Sequence, residues 1–144
     1  MFSGCNKLVY VPTGLLPNTR LNNACYHKMF NACTGLKTHP VLPATTLAPS
    51  CYYDMFGGNW GMREINLPGS SLQNYCYLNL LAWTSNVSAI TVHFTEWTGT
   101  NSTQDWVSHV ASTGEFHCPA GLDTSTSGTS RVPSNWTIIK DVVD

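Results

Sequence analysis

Five tryptophans and a scatter of acids and histidines are the residues of this 144-residue chain that could carry chemistry. Trp60, Trp83, Trp97, Trp106 and Trp136 have rings broad enough to stack on a sugar face or to anchor a protein partner. Large aromatics of a small β fold are mostly core. Trp97 is the exception, because it falls off the Ile90-Val92-Phe94 alternation at the edge of a polar loop. Trp97, Trp106 and Trp60 are the expected ligand-binding set. Glu64, Glu96, Asp105 and Glu115 are the acids nearest such aromatic walls, and two at the right separation suffice for glycoside cleavage. No motif ties any pair together, and the chain has no Gly-x-Ser-x-Gly, no phosphate-binding glycine loop and no His-Glu-x-x-His. No catalytic residue stands out on these grounds, and a secreted hydrolase is only the third expectation.

His93, His109 and His117, with Cys118, are the residues that could gather around a transition metal, but they lie outside any ligand spacing. His117-Cys118-Pro-Ala-Gly121-Leu122 resembles the His-Cys-x-x-Gly-Met end of plant blue-copper proteins. Ser112 stands where that family has its cysteine ligand, and Leu122 replaces the axial methionine, so type 1 copper is not expected.

Composition limits the partners. Only 10% of residues are charged, the net charge is −1, and the 7 Lys and Arg are scattered singly, so no basic footprint exists for nucleic acid. The polarity comes instead from 17 Thr, 13 Ser and 12 Asn, which suit strands, turns and uncharged surfaces. The longest apolar run, around Leu78 to Trp83, is far shorter than the roughly 20 residues that span a bilayer. Six cysteines, Cys5, Cys25, Cys33, Cys51, Cys76 and Cys118, form no Cys-x-x-Cys pair. An even number without zinc or redox spacing points to disulfides and a secreted protein. The opening MFSGCNKLVYVPTG is not an intact secretion signal, which leaves a cytosolic thiol protein as the competing case. Asn86, Asn101 and Asn135 stand in glycosylation sequons, about as many as chance supplies in so Asn-, Ser- and Thr-rich a chain.

The elements that must position these residues are expected to be mostly β. Leu72 to Trp97 reads as two strands joined by Thr84, Ser85 and Asn86. Cys76, Leu78, Leu80 and Ala82 share one face of the first arm, and Ile90, Val92 and Phe94 one face of the second. Further strands are expected at Lys7 to Val11, Met62 to Leu67, Asp105 to Val110 and Trp136 to Val143, with a surface loop at Leu122 to Ser130. Cys25, Met29 and Cys33 recur at four-residue spacing between an Asn22 or Asn23 cap and Gly35, which predicts a short helix over 23–33. Eight residues of helix rise about 12 Å, beyond the roughly 7 Å Cα reach of a disulfide, so Cys25 and Cys33 could not pair. The proline-rich stretch Lys37 to Ser50 reads as a strap across the sheet. No internal repeat is read. One domain over 1–144 is expected, with 1–50 as strand, helix and strap and 51–144 as the main sheet.

Cys51 and Cys76, with Pro68-Gly69 and Tyr75 between them, then Ile90-Thr-Val92-His-Phe94 and Asp105-Trp106-Val107, resemble a CUB-type extracellular domain over about residues 51–118. The resemblance implies an antiparallel, jelly-roll-like β-sandwich stapled by a Cys51–Cys76 disulfide. The other four cysteines would then pair as Cys5–Cys25 with Cys33–Cys118, or as Cys5–Cys33 with Cys25–Cys118. It implies recognition of an extracellular protein or glycan by loops, and calcium as a cofactor in members with the right acids, for which Asp105 and Asp141 would serve. The low charge and the VSAITVHF strand also resemble the jelly-roll subunits of small viral coats. Self-assembly into a coat or filament, in a virion or the cytoplasm, is accordingly the second expectation.

Overall fold

Leu16-Pro17, Leu21, Cys25-Tyr26 and Met29-Phe30 recur as Leu42-Pro43, Leu47, Cys51-Tyr52 and Met55-Phe56. They recur again as Leu67-Pro68, Leu72, Cys76-Tyr77 and Leu80-Leu81, which corrects the expectation of a chain without internal repeat. A pattern of this period cannot bury its apolar residues within one unit, so successive units must stack on one another. The computed structural model, which describes residues 1–143, shows this stacking: the chain winds as a solenoid, one repeat to each coil.

One side of the solenoid is a four-stranded parallel sheet in the order β1 (Glu64–Leu67), β2 (Ala89–Val92), β3 (Glu115–Pro119), β4 (Thr137–Val142). Glu64 lies beside Ala89, Ala89 beside Glu115 and Glu115 beside Thr137, so each strand returns to the sheet after one circuit. Parallel neighbours need long crossovers, and these are usually helices. Here the crossover is a ladder of tight turns, and no helix occurs among the described residues.

In the ladder, alternate amides have different destinations. Tyr26, Lys28 and Phe30 donate to the carbonyls of Cys51, Tyr53 and Met55 in the next coil. The amides between them, His27, Met29 and Asn31, donate to the carbonyls of Ala24, Tyr26 and Lys28 three residues back. Every fourth residue is left-handed: Ala24, Lys28 and Ala32 in one coil, Tyr75, Asn79 and Trp83 two coils on. The result is a two-in, two-out pattern. Cys51-Tyr52 and Met55-Phe56 are buried, as are Cys76-Tyr77 with Leu80-Leu81 and Ser102-Thr103 with Trp106-Val107. Stacked coils put like side chains in register. Phe2, Phe30 and Phe56 form one ring column at 5.5 and 5.9 Å, and Tyr26, Tyr52, Tyr77 and Trp106 another at 6.0, 6.1 and 6.1 Å.

This architecture corrects the antiparallel sandwich. Leu72 to Trp97 is not a hairpin. Its first arm is turn ladder, Thr84 to Asn86 is a corner, and β2 continues around the circuit. The inward set Ile90, Val92 and Phe94 is buried as expected, and the strands at 62–67 and 136–143 appear as β1 and β4. Lys7 to Val11 and Asp105 to Val110 are not strands. The helix at 23–33 is absent because the turn ladder repeats every four residues and so reproduces the spacing of a helical stripe. The exclusion of a Cys25–Cys33 pair, which rests on that helix, falls with it.

The disulfide staple is also absent: all six cysteines are unbridged. Cys51 and Cys76 follow one another in the same column, buried and apolar, and burial pushes their thiols up to about 12 and about 11. Such thiols stay protonated and pack as small hydrophobes. Stacking, not sulfur bridges, holds adjacent coils together here.

Candidate functional site

The outer face of the turn ladder carries an open groove of about 670 Å³. Three neighbouring columns build it. Asp54, Asn79 and Asp105 occupy successive coils at one left-handed position, with Lys28 before them. Ala32, Gly58, Trp83 and His109 occupy the next such position, four residues on. Asn31, Gly57, Ala82 and Ser108 lie between the two. Trp60, two residues past Gly58, also lines the groove.

Trp83 and Trp60 are 59% and 58% exposed, the most open of the large aromatics apart from Tyr10 near the chain start. The ladder geometry causes this, since an outward position on a tight turn cannot tuck an indole into the core. Trp83 stacks flat on His109, with ring centroids 3.6 Å apart and planes 6° from parallel. Asn86 donates its side-chain amide to the Trp60 carbonyl at 2.6 Å, which fixes the backbone beneath that ring.

The polar groups are held with comparable definition. A Cβ on Gly57 would collide with the Asp54 carboxylate and the Asn31 amide, so this glycine lets both close over the backbone. Burial holds the Asp54 carboxyl above its ordinary value, against the downward pull of Lys28 and Asn31. Asp105 accepts a hydrogen bond from the Thr129 hydroxyl at 3.1 Å, and its amide donates to the Ser130 hydroxyl at 3.0 Å. A face of indole beside amides, carboxylates and a serine hydroxyl suits a ligand that has both apolar C–H faces and many hydroxyls.

Of the expected aromatic set, only Trp60 reaches this groove. Trp106 is fully buried in the ring column, its indole N–H donating to the Arg131 carbonyl at 2.8 Å. Trp97 packs edge-on against Phe94 and Trp106, lies under the Arg131 guanidinium at 5.0 Å, and donates to the Asp123 carbonyl at 2.7 Å. The Arg131 guanidinium covers one of its faces, and the ring lines a separate, smaller pocket with Asn101, Gln104 and Ser130. The general tendency of large aromatics to be buried in a small fold places Trp83 in the core, and the structure puts it outside. The signal that finds it is the repeat: it occupies the outward position held by Ala32 and Gly58 in the two preceding coils.

The remaining expected residues are dispersed. Asp105 lines the groove, whereas Asp141 lies on the sheet and accepts from His117 Nδ1 at 3.0 Å, so the two calcium candidates sit on different faces. His93 Nε2 is 3.1 Å from the Asn66 side-chain oxygen, His109 stacks on Trp83, and Cys118 is buried. Among the described residues no group of three or more His, Cys, Asp and Glu gathers as a metal site. Glu64 and Glu115 are on the sheet, away from Asp105. Asn86, Asn101 and Asn135 are all exposed. No helix among the described residues is long and apolar enough to cross a membrane.

No family model, curated protein or solved structure matches the chain.

Proposed function

We propose that this protein recognises carbohydrate without cleaving it, through the groove between Trp60 and Trp83. The observation that carries this reading is the pair of exposed indoles set around Asn31, Asp54, Asn79 and Asp105 on a face that coil stacking makes rigid. Indole stacks on the C–H face of a pyranose, while amide and carboxylate side chains take up its equatorial hydroxyls. The groove lining contains two carboxylates and no Lys or Arg, and Lys28 beside Asp54 offsets only one of the two charges, so the groove favours neutral sugars over uronates and sialates. Recognition by exposed aromatics also agrees with the non-catalytic binding role expected from the sequence.

Affinity electrophoresis through gels containing neutral polysaccharides tests the reading. Retardation is expected in at least one neutral glucan, mannan or galactan, and Trp83→Ala should weaken it about tenfold, the scale of one lost aromatic contact. Absence of retardation in all of them, or equal retardation of the Trp83→Ala protein, would overturn it.

A further inference from the structure

One column of the groove lacks a rung. Ala32, Gly58, Trp83 and His109 follow one another along the solenoid, linked by the bonds from Ala32 N–H to the Gly57 carbonyl, Gly58 N–H to Ala82 and Trp83 N–H to Ser108. All four have positive φ, at 56°, 77°, 65° and 61°. Left-handed backbone is the usual reason for glycine. Here that reason is weak, because alanine, tryptophan and histidine hold the same conformation at the equivalent positions. Crowding does not require it either, since a Cβ on Gly58 would meet nothing closer than the Ala32 Cα at 3.7 Å. What the glycine does is leave space beside the indole. His109 covers one face of Trp83, and the other looks along the column towards Gly58 and Ala32.

The gap has the thickness of one ring. Adjacent coils are about 4.8 Å apart, so Ala32 and Trp83, two coils apart, leave about 9.6 Å. A saturated ring touching both needs roughly 8 Å. Asp54 and Asn79 stand beside the gap on the Gly58 and Trp83 coils, four residues before each, and Asn31 stands next to Ala32.

We infer that this gap is a pocket for a single neutral hexopyranose, which enters edge-on, continues the His109–Trp83 stack as its next rung, and gives adjacent hydroxyls to Asp54 and Asn79. The inference rests on the carbohydrate reading and deepens it. A slot one ring thick, with Ala32 behind and indole in front, receives a chain terminus or a side-branch sugar and not an internal residue of a linear polymer.

Titration of the full chain with the methyl glycosides of glucose, galactose and mannose, followed by tryptophan fluorescence, is the test, with methyl glucuronide as the anionic control. At least one neutral glycoside should bind, the glucuronide should not, and the free glycoside should release the protein from its polysaccharide. Gly58→Asn should abolish this binding, or weaken it at least tenfold, because asparagine tolerates left-handed backbone and its side chain occupies the slot. An unchanged denaturation midpoint for that variant would show that the fold is kept. If polysaccharide binding depends on Trp83 yet Gly58→Asn binds as well as the parent, the slot is wrong and the groove reading stands. If the parent binds neither polysaccharide nor glycoside, both are overturned.

Discussion

Asn59 shows how one side chain secures the end of each ladder. It is fully buried, and its amide donates to the carbonyls of Phe56, at 2.6 Å, and of Phe30 one coil earlier, at 2.9 Å. Cys33 holds the same position in the preceding coil, where its thiol donates to the Phe2 carbonyl at 2.9 Å, and Thr84 holds it in the following coil, donating to Leu81 at 2.6 Å. What the three share is a buried side-chain donor to a ladder carbonyl: Cys33 serves the preceding coil, Thr84 its own, and Asn59 both. Asn59→Ala should therefore lower stability by about 1–3 kcal/mol, the net worth of two buried hydrogen bonds, because the Phe56 and Phe30 carbonyls then keep only the backbone N–H groups of residues 59 and 33 as donors. Cys33→Asn should fold but with a denaturation midpoint no higher than the parent's, because the Oδ1 of asparagine at this position, as in Asn59, is buried without a partner. Equal stability of parent and Asn59→Ala by urea unfolding would contradict this account. The equivalence is legible in the chain itself, where Met1-Phe2-Ser-Gly-Cys5, Met29-Phe30-Asn-Ala-Cys33 and Met55-Phe56-Gly-Gly-Asn59 align residue for residue.

At the scale of elements, strands are more legible than ladder. A strand alternates with period two wherever it lies, so Ile65 and Leu67 in β1, and Ile90 and Val92 in β2, announce themselves without knowledge of their partners. The ladder's two-in, two-out rhythm has close to the period of a helix, and nothing local separates the two; only recurrence one coil later does. Strand direction is equally hidden, because it depends on the path between strands and not on their own residues. The outward face of the sheet carries its own chemistry. His117 on β3 sits between Asp141 on β4, at 3.0 Å, and Glu115, at 3.1 Å. Hydrogen bonding to Asp141, then to Glu115, lifts its pKa above the ordinary 6.5 against the opposing effect of burial. Because the folded state favours the imidazolium, this contribution is fully present below pH 6.5 and is lost as pH rises through the elevated folded value. The group is partly solvated, so less than about 1 kcal/mol is at stake. An NMR titration should place the His117 midpoint above 6.5 and move it down in Asp141→Asn; a midpoint at or below 6.5 in the parent would refute the pairing.

For the molecule as a whole, stacking takes the place that an even cysteine count assigns to sulfur bridges. Cys33, Cys51, Cys76 and Cys118 are buried and Cys5 and Cys25 exposed, so a thiol reagent should modify two cysteines in the native protein and all six only after unfolding. Fewer than six under denaturing, non-reducing conditions would show bridges. The number of cysteines suggests cross-links only while their positions are set aside. Cys25, Cys51 and Cys76 recur because they occupy one place in three successive repeats, which is a packing reason and not a pairing one. The parallel windings also set what changes of length the chain can absorb. Strands β1 to β2 and β2 to β3 are offset by 25 and 26 residues, and every column depends on that offset. Duplication or deletion of one complete unit would carry all later residues along by one winding and leave their neighbours equivalent. A gain or loss of half a unit would set sheet against turns and bring buried faces outward, so the gene can grow or shrink in whole paragraphs but not in half sentences.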